Sequence, residues 1–506
     1  MTESRSKKFF YNTLFTALLQ VVNILATLIV PKFMLQYYGS EINGLVTSVT
    51  QFINYFNLVE AGLSNAAVYA LYKPLTEKDN ERISAIVSAS KKFYMQAGYI
   101  FTALTVVLAV VYPLYIDIEG FSPYLIGLLV IVLGSNGFLE FFTLSKYRVL
   151  LTADQKTYVI SIASIVHMLL QTLIIAVMAC FQVNIVIVRA VAVSAIILRS
   201  VILAIYCKLK YKNVNYKAEP DTKALDKRWD AMFLQLLGAI HKGTTVILLT
   251  VIVKDLTIVS VYAIFNIVIS GINSILSIFN SGLAASFGEV IVKGEKKVLQ
   301  KAYKEFEFGF YSIITFVFSV SFVMIMPFVN LYTAGITDVN YNMPLLGFLM
   351  VLDGYLYQIK TPQGMLVMSA GMYKETKWRT LTQGLIAFVG GAILAFPMGI
   401  YGIILAAILS NLYRDVDLCF FASKYITGLS PIHTIKNIAK SLLQMCLIAV
   451  PFYFISLDIT SWISWVFYAC IVALYAGMVV LLIALIFDRK LLKDIIQRMK
   501  RILKRG

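Results

Sequence analysis

The sequence predicts an all-α polytopic membrane protein with about 14 transmembrane helices, and three observations carry that reading. Of the 506 residues, 59% are hydrophobic and only 14% charged, at a mean hydropathy of +0.79. Soluble domains are about 45–50% apolar and about 25% charged. The apolar runs have the length, about 20–25 residues, that a helix rising ~1.5 Å per residue needs to cross a hydrocarbon core of ~30 Å. The alternating segments of ~10 residues that would build a membrane barrel do not occur.

Polar breaks divide the chain into spans at 9–35, 42–72, 93–116, 122–146, 157–181, 185–207, 231–253, 257–288, 305–332, 345–369, 379–397, 401–422, 440–457 and 462–487. The first begins behind a basic segment, "MTESRSKKFF", as a secretory signal would. Its apolar stretch continues to about Leu35 without a small-residue cleavage site, so it reads as a retained span. An even number of spans places both termini on one side. Of the 44 lysines and arginines, all but Lys32, Arg189, Arg199, Lys242, Lys254, Lys360 and Arg414 fall in the N-terminus, the loops after even-numbered spans and the tail. Positive charge marks the cytoplasmic side, so both termini are expected in the cytoplasm.

The loops on the other side are short: "QYYGSE", "DIEGFS", "FQVN", "KD" and "TAGITDVNYNMP". Asp117 and Glu119 resemble an acidic sugar-transferase motif, but a loop of that size has little room for a site around them. They read as solvated loop residues. No Walker loop, HExxH or GxSxG is present, so neither an enzyme nor a cofactor or metal site is expected. The five cysteines, in or at the ends of apolar runs, show no CxxC spacing.

The tail, "DRKLLKDIIQRMKRILKRG", sets Leu491, Leu492, Ile495, Ile496, Met499, Ile502 and Leu503 at helical spacing against a basic face. That pattern predicts a helix lying on the anionic inner leaflet. The net charge of +17 is accordingly assigned to anionic membrane lipids, with no nucleic acid expected as a partner.

An internal echo organises the spans. "GLSNAAVYALYK" (62–73) aligns with "GLAASFGEVIVK" (282–293), and "VLLTADQK" (149–156) stands against "LVMSAGMYK" (366–374). Each pair occupies the inner end of matching spans in two six-span halves. The expected lobes are residues 1–208 and 231–424 in parallel repeat, joined by a cytoplasmic loop at 209–230. An added pair of spans follows at 425–487, then the tail at 488–506.

Ionisable residues inside spans are functional candidates, because charge in hydrocarbon is costly. Lys242, Lys360 and Arg414 lie near the middle of spans 7, 10 and 12; Arg189 and Arg199 belong to span 6. Glu60, Glu140, Asp353, Asp415 and Asp417 are the corresponding acids. Internal pairing competes with function: Arg414 and Asp417 are three residues apart on one helix face. Neither Lys242 nor Lys360 has an acid three or four residues away, so both point to an anionic ligand such as a phosphate or diphosphate. His167 and His241 read as hydrogen-bonded core residues or as a proton relay. Asn266, Asn273 and Asn280, seven apart, mark a helix seam or a wet cavity.

The stretch "YYGSEINGLVTSVTQFINYFNLVEAGLSNAAVYALYKPL" (37–75) resembles the Wzx-type O-antigen and capsule flippases. These are polysaccharide transporters of the multidrug/oligosaccharidyl-lipid/polysaccharide (MOP) exporter superfamily. Gly39-Ser40-Glu41, Asn43-Gly44-Leu45 and Gly62-Leu63 match the family's elements after span 1 and at the end of span 2, with Ser40 in place of the usual proline. The resemblance implies a MATE-like fold in the bacterial cytoplasmic membrane. It also implies translocation of an undecaprenyl-diphosphate-linked oligosaccharide to the outer leaflet by alternating access. A polysaccharide polymerase and glycosyltransferases are its candidate partners. Lys242, Lys360, Arg189 and Arg414 become candidates for the anionic headgroup by depth and charge. Glu60, Asp353, His167 and His241 are candidates for ion or proton coupling.

The alternatives are a cation-coupled multidrug exporter, a lipid II flippase and a non-transport assembly scaffold. The exporter would lean on Glu60 or Asp353. The arginines typical of spans 1 and 2 in lipid II flippases have no counterpart here, where those spans hold only Lys32 and Glu60.

Overall fold

The computed structural model describes residues 5–60, 63–222, 243–455, 457–494 and 497. Lys242 and His241, the N-terminal half of the seventh expected span and most of the expected tail helix lie outside the described residues. The chain divides into two compact units, residues 1–263 and 264–506. Among the described residues both are helical and neither contains a sheet.

In the first unit, α1 (Arg5–Phe56), α2 (Leu63–Glu77), α3 (Asn80–Tyr115) and α4 (Pro123–Leu139) are followed by α5 (Ser145–Ala153) and α6 (Thr157–Cys180). α7 (Ile185–Val193), α8 (Ala195–Lys210) and the short α9 (Gly243–Val253) complete it. The expected "QYYGSE" loop is reduced to a single joint: two helices meet at Gly39, whose non-helical φ of 79° and ψ of 173° are open to glycine at little cost. Just beyond, Asn43 donates to Ser260 Oγ at 2.8 Å, and a Cβ on Gly44 would lie 1.8 Å from the Leu256 carbonyl oxygen. Of the residues that carried the family resemblance, Gly39 thus forms a joint and Asn43-Gly44 a close backbone crossing, while Gly62 lies outside the described residues.

Caps set the other helix starts. Asp79 accepts from the Arg82 N–H, and Ser122 precedes Pro123, which occupies the first helical position where its missing N–H costs nothing. α1 packs along α6, and α3 along α4. Leu144, Leu151, Ala163, Ile196 and Leu203 fill the core between α5, α6 and α8.

Asp154 receives Lys8 at 2.9 Å, Lys156 at 2.6 Å and the Tyr211 hydroxyl at 2.6 Å. The start of α1, the α5–α6 turn and the end of α8 are thereby tied to one carboxylate. The start of the expected inter-lobe loop is also anchored. Asn215 N–H bonds Ser84 Oγ at 2.9 Å, and Ser88 Oγ donates to the Ala218 carbonyl at 2.6 Å.

α10 (Leu256–Val292) runs from the first unit into the second. There α11 (Lys296–Tyr332), α12 (Pro344–Ile359), α13 (Thr361–Ser369), α14 (Tyr373–Leu385), α15 (Gly391–Met398), α16 (Ile400–Ala422), α17 (Pro431–Tyr453) and α18 (Trp462–Phe487) follow. Two helices begin earlier than expected. α11 starts at Lys296, ahead of the span expected from residue 305, and α14 starts at Tyr373, ahead of the span expected from residue 379. α17 also starts early, at Pro431, behind the capping Ser430.

Ten helical runs among the described residues are long and apolar enough to cross a membrane. The run Lys7–Glu77 holds two of the expected spans, the tenth span is broken at Lys360, and the twelfth carries three charges. The burial pattern is that of a membrane protein. On α18, Ile463, Phe467, Leu474 and Ile486 are exposed while Val472 and Ala476 are fully buried. In water, a contiguous apolar face of that length would drive association. The protein is a multi-pass membrane protein.

Candidate functional site

The break between α12 and α13 positions the first candidate. Pro362 has no N–H to return to Gln358, so the helix cannot continue its ladder, and Lys360 sits at the joint. The Ile359 carbonyl is satisfied instead by the Tyr311 hydroxyl at 3.0 Å. Lys360 extends over the Tyr357 ring, its Nζ 4.5 Å from the centroid, and donates to Asn411 Oδ1.

Asn411, fully buried on α16, is the hub. Its Oδ1 also accepts from Gln383 Nε2 at 3.4 Å, and its Nδ2 donates to Asp353 Oδ1 at 2.8 Å. Lys360 and Asp353 therefore share a neutral amide between them, with no direct ion pair. On the same helix, Asp415 is buried with both carboxylate oxygens lacking a hydrogen-bond partner. Such a group is costly unless it is protonated or a ligand covers it.

Arg414 takes the pairing its spacing allowed. It holds Asp417 at 2.7 Å and Thr380 Oγ1 at 3.1 Å, and Arg379 bonds the other oxygen of Asp417. Lys360, Asp353 and Arg414 are thus brought into one polar layer of α12, α14 and α16. Asn273 joins its edge by accepting from Gln358 at 2.7 Å, which makes the asparagine stripe of α10 a helix seam there.

The other candidates belong to the first unit. Glu60 ends a single 3₁₀ turn, Asn57–Glu60, with Arg148 and Glu140 as its charged neighbours. Glu140 opens a π-turn and receives Arg148, with Arg199 at 3.8 Å. His167, on α6, has Arg199 as a charged neighbour, and its Nδ1 is buried without a hydrogen-bond partner. Arg189 is half-buried four residues into α7, its Nε likewise buried and unpartnered.

Geometry similar to this chain occurs in solved transporters. A multidrug-resistance MATE family transporter of the MOP superfamily, in an inward-facing conformation, matches with a TM-score of 0.69 at 14% identity, over 80% of this chain and 95% of that one. Lipid II flippase MurJ, in an inward closed conformation, matches with a TM-score of 0.64 at 12% identity, over 95% of this chain and 99% of that one. A eukaryotic MATE transporter matches at 0.57 and 13% identity, over 87% and 98%. The chain has the MATE fold. No protein-family model matches the sequence, and no curated protein does.

Three participants escaped the sequence reading. Asn411 looked like any amide in a span; its signal was its place in "SNLYRDVD", three and four residues before Arg414 and Asp415 on one helix face. Arg148 was counted in an inner loop, but the π-turn carries the helix onward to include it. Glu307 lies near the start of the ninth expected span, 305–332, beside the charged run "KKVLQKAYKE", and was given no candidate role there. In this MATE fold it is fully buried and accepts from Tyr303 (2.7 Å), Thr434 (2.7 Å), Gln363 (3.2 Å) and Asn437 (2.8 Å).

Proposed function

We propose that the protein is a flippase that moves an undecaprenyl-diphosphate-linked oligosaccharide repeat unit from the inner to the outer leaflet of a bacterial cytoplasmic membrane, for cell-surface polysaccharide synthesis. One observation supports a flippase over a multidrug exporter. The match to a flippase of a lipid-linked precursor extends over 95% of this chain, whereas the multidrug transporter accounts for 80%.

Lobes 1–208 and 231–424 would alternate access, with spans 425–487 and the tail added. Lys242, Lys360, Arg189 and Arg414 would meet the anionic headgroup. Lys360 suits that role because its partner is a neutral amide that an anion can displace. Arg414 would act through the charge it shares with Asp417. Glu60, Asp353, His167 and His241 are the groups for ion or proton coupling. An inside-negative potential favours outward movement of an anion by ~2.3 kcal/mol per charge per 100 mV. A polymerase and glycosyltransferases would supply and consume the repeat unit.

The test is leaflet accessibility of a labelled carrier-linked oligosaccharide in proteoliposomes of the full chain, with Lys242→Ala and Lys360→Ala beside the wild type. Slower flipping in either variant is expected; unchanged flipping in both overturns the cationic site. The second reading is a cation-coupled multidrug exporter, favoured by the unpartnered carboxylate of Asp415. Export of cationic dyes without flipping of any carrier would establish it instead.

A further inference from the structure

α14 and α16 pack together, and their outer faces form an open-sided cleft of about 660 Å³ lined by Arg379, Leu412, Tyr413, Val416, Asp417 and Phe420. Leu412, Val416 and Phe420 repeat every four residues, so they make one apolar stripe two turns long, about 12 Å. All three are exposed, Val416 and Phe420 by more than half. A stripe of that kind in a membrane protein is covered by a lipid chain.

The charge beside the stripe is specific. Asp417 is buried and accepts from two guanidinium groups, so the trio of Arg379, Arg414 and Asp417 carries one excess positive charge. Arg414 is buried and also bonded to Thr380, whereas the Arg379 side chain is 43% exposed. Asp417 is the single hydrogen-bond partner of Arg379 among the described residues, and its guanidinium lies over the Phe421 ring at 5.4 Å. Most of its five N–H donors remain available.

The surroundings are those of an interface. The first turns of α14 carry Lys374 and Lys377, offset by Glu375. Trp378 is 69% exposed next to Arg379, and Lys424 and Tyr425 follow the end of α16. Aromatic and basic residues gather at headgroup level.

We propose that this cleft binds an anionic phospholipid. Its phosphodiester would sit on Arg379 through charge-assisted, bidentate hydrogen bonds, and one acyl chain would lie along Leu412, Val416 and Phe420. The site lies on the outer face of α14 and α16 and does not depend on what the protein transports.

The full-length protein in nanodiscs provides the test. The discs hold either dibrominated phosphatidylglycerol or dibrominated phosphatidylcholine diluted in unbrominated lipid. Trp378 quenching is isolated by subtracting the signal of Trp378→Phe. Phosphatidylglycerol should be preferred over phosphatidylcholine several-fold, because both offer the phosphodiester but the choline ammonium cancels its charge and is repelled by the excess positive charge of the trio. Arg379→Gln should abolish the preference, Arg379→Lys should keep most of it, and Val416→Phe should reduce quenching by either lipid. Equal quenching by both lipids in the wild type overturns the proposal, as does an unchanged preference in Arg379→Gln. Displacement of phosphatidylglycerol by equimolar undecaprenyl phosphate would assign the cleft to the isoprenoid carrier and also overturn it.

Discussion

Asn411 decides how opposite charges coexist in the second unit. A direct Lys360–Asp353 pair would be a closed structural unit. With an amide between them, each keeps a hydrogen bond and neither is neutralised by contact. Replacing Asn411 with leucine strands both charges in a buried layer. That should cost about 3 kcal/mol, read as a lowered midpoint in detergent thermal unfolding followed by size-exclusion chromatography. An unchanged midpoint would mean water already serves both groups. The charged residues of "NLYRDVD" were legible in the sequence, because composition alone makes a charge in an apolar span conspicuous. The amide that organises them was not, since its meaning depends on α12 and α14, distant in sequence.

At the scale of elements, the joints between helices matter more than their lengths. Gly44 crosses the Leu256 backbone so closely that the added Cβ of an alanine has nowhere to go. Carbonyl backbone cannot rotate aside as a side chain can. Gly44→Ala should therefore destabilise by at least the 1–3 kcal/mol usual for overpacking, seen as a reduced yield of monodisperse protein; a normal yield would place the crossing farther apart.

The latch on Asp154 is a second joint. Burial opposes its charge, but hydrogen bonds from Lys156, Tyr211 and Lys8 outweigh it and hold the carboxyl below its ordinary value. A depressed carboxyl contributes stability that is fully present above its unfolded value, about pH 4, and is lost as pH falls through the lower folded value. Protection of the amides at the start of α1, measured against the intrinsic exchange rate at each pH, should accordingly fall below about pH 4. In Asp154→Asn that protection should already be low at neutral pH and respond less to acid. Equal exchange in the variant at neutral pH would remove the latch. The signals at "TADQK" and "RSKK" were visible as loop charges, but only the packing of α1 on α6 brings them together.

For the whole molecule, the asymmetry of lysine and arginine makes a topological prediction. Single cysteines placed at Lys217 and Asp338, in a cysteine-free background, should be labelled by a membrane-impermeant maleimide only from the cytoplasmic and only from the outer side, respectively. Labelling of both from one side would overturn the fourteen-span arrangement.

By itself the sequence determined that this is an all-helical, multi-pass membrane protein, and roughly where most helices lie. Length and apolarity in lipid leave a backbone no other way to satisfy its N–H and C=O groups. Tertiary structure alone decided that a helix breaks inside an expected span, as at Lys360, and which distant groups meet: Arg379 with Asp417, Lys360 with Asn411. Those pairings join residues on different helices or at a broken joint. Their energies come from burial and geometry created by packing, which no local pattern of residues contains.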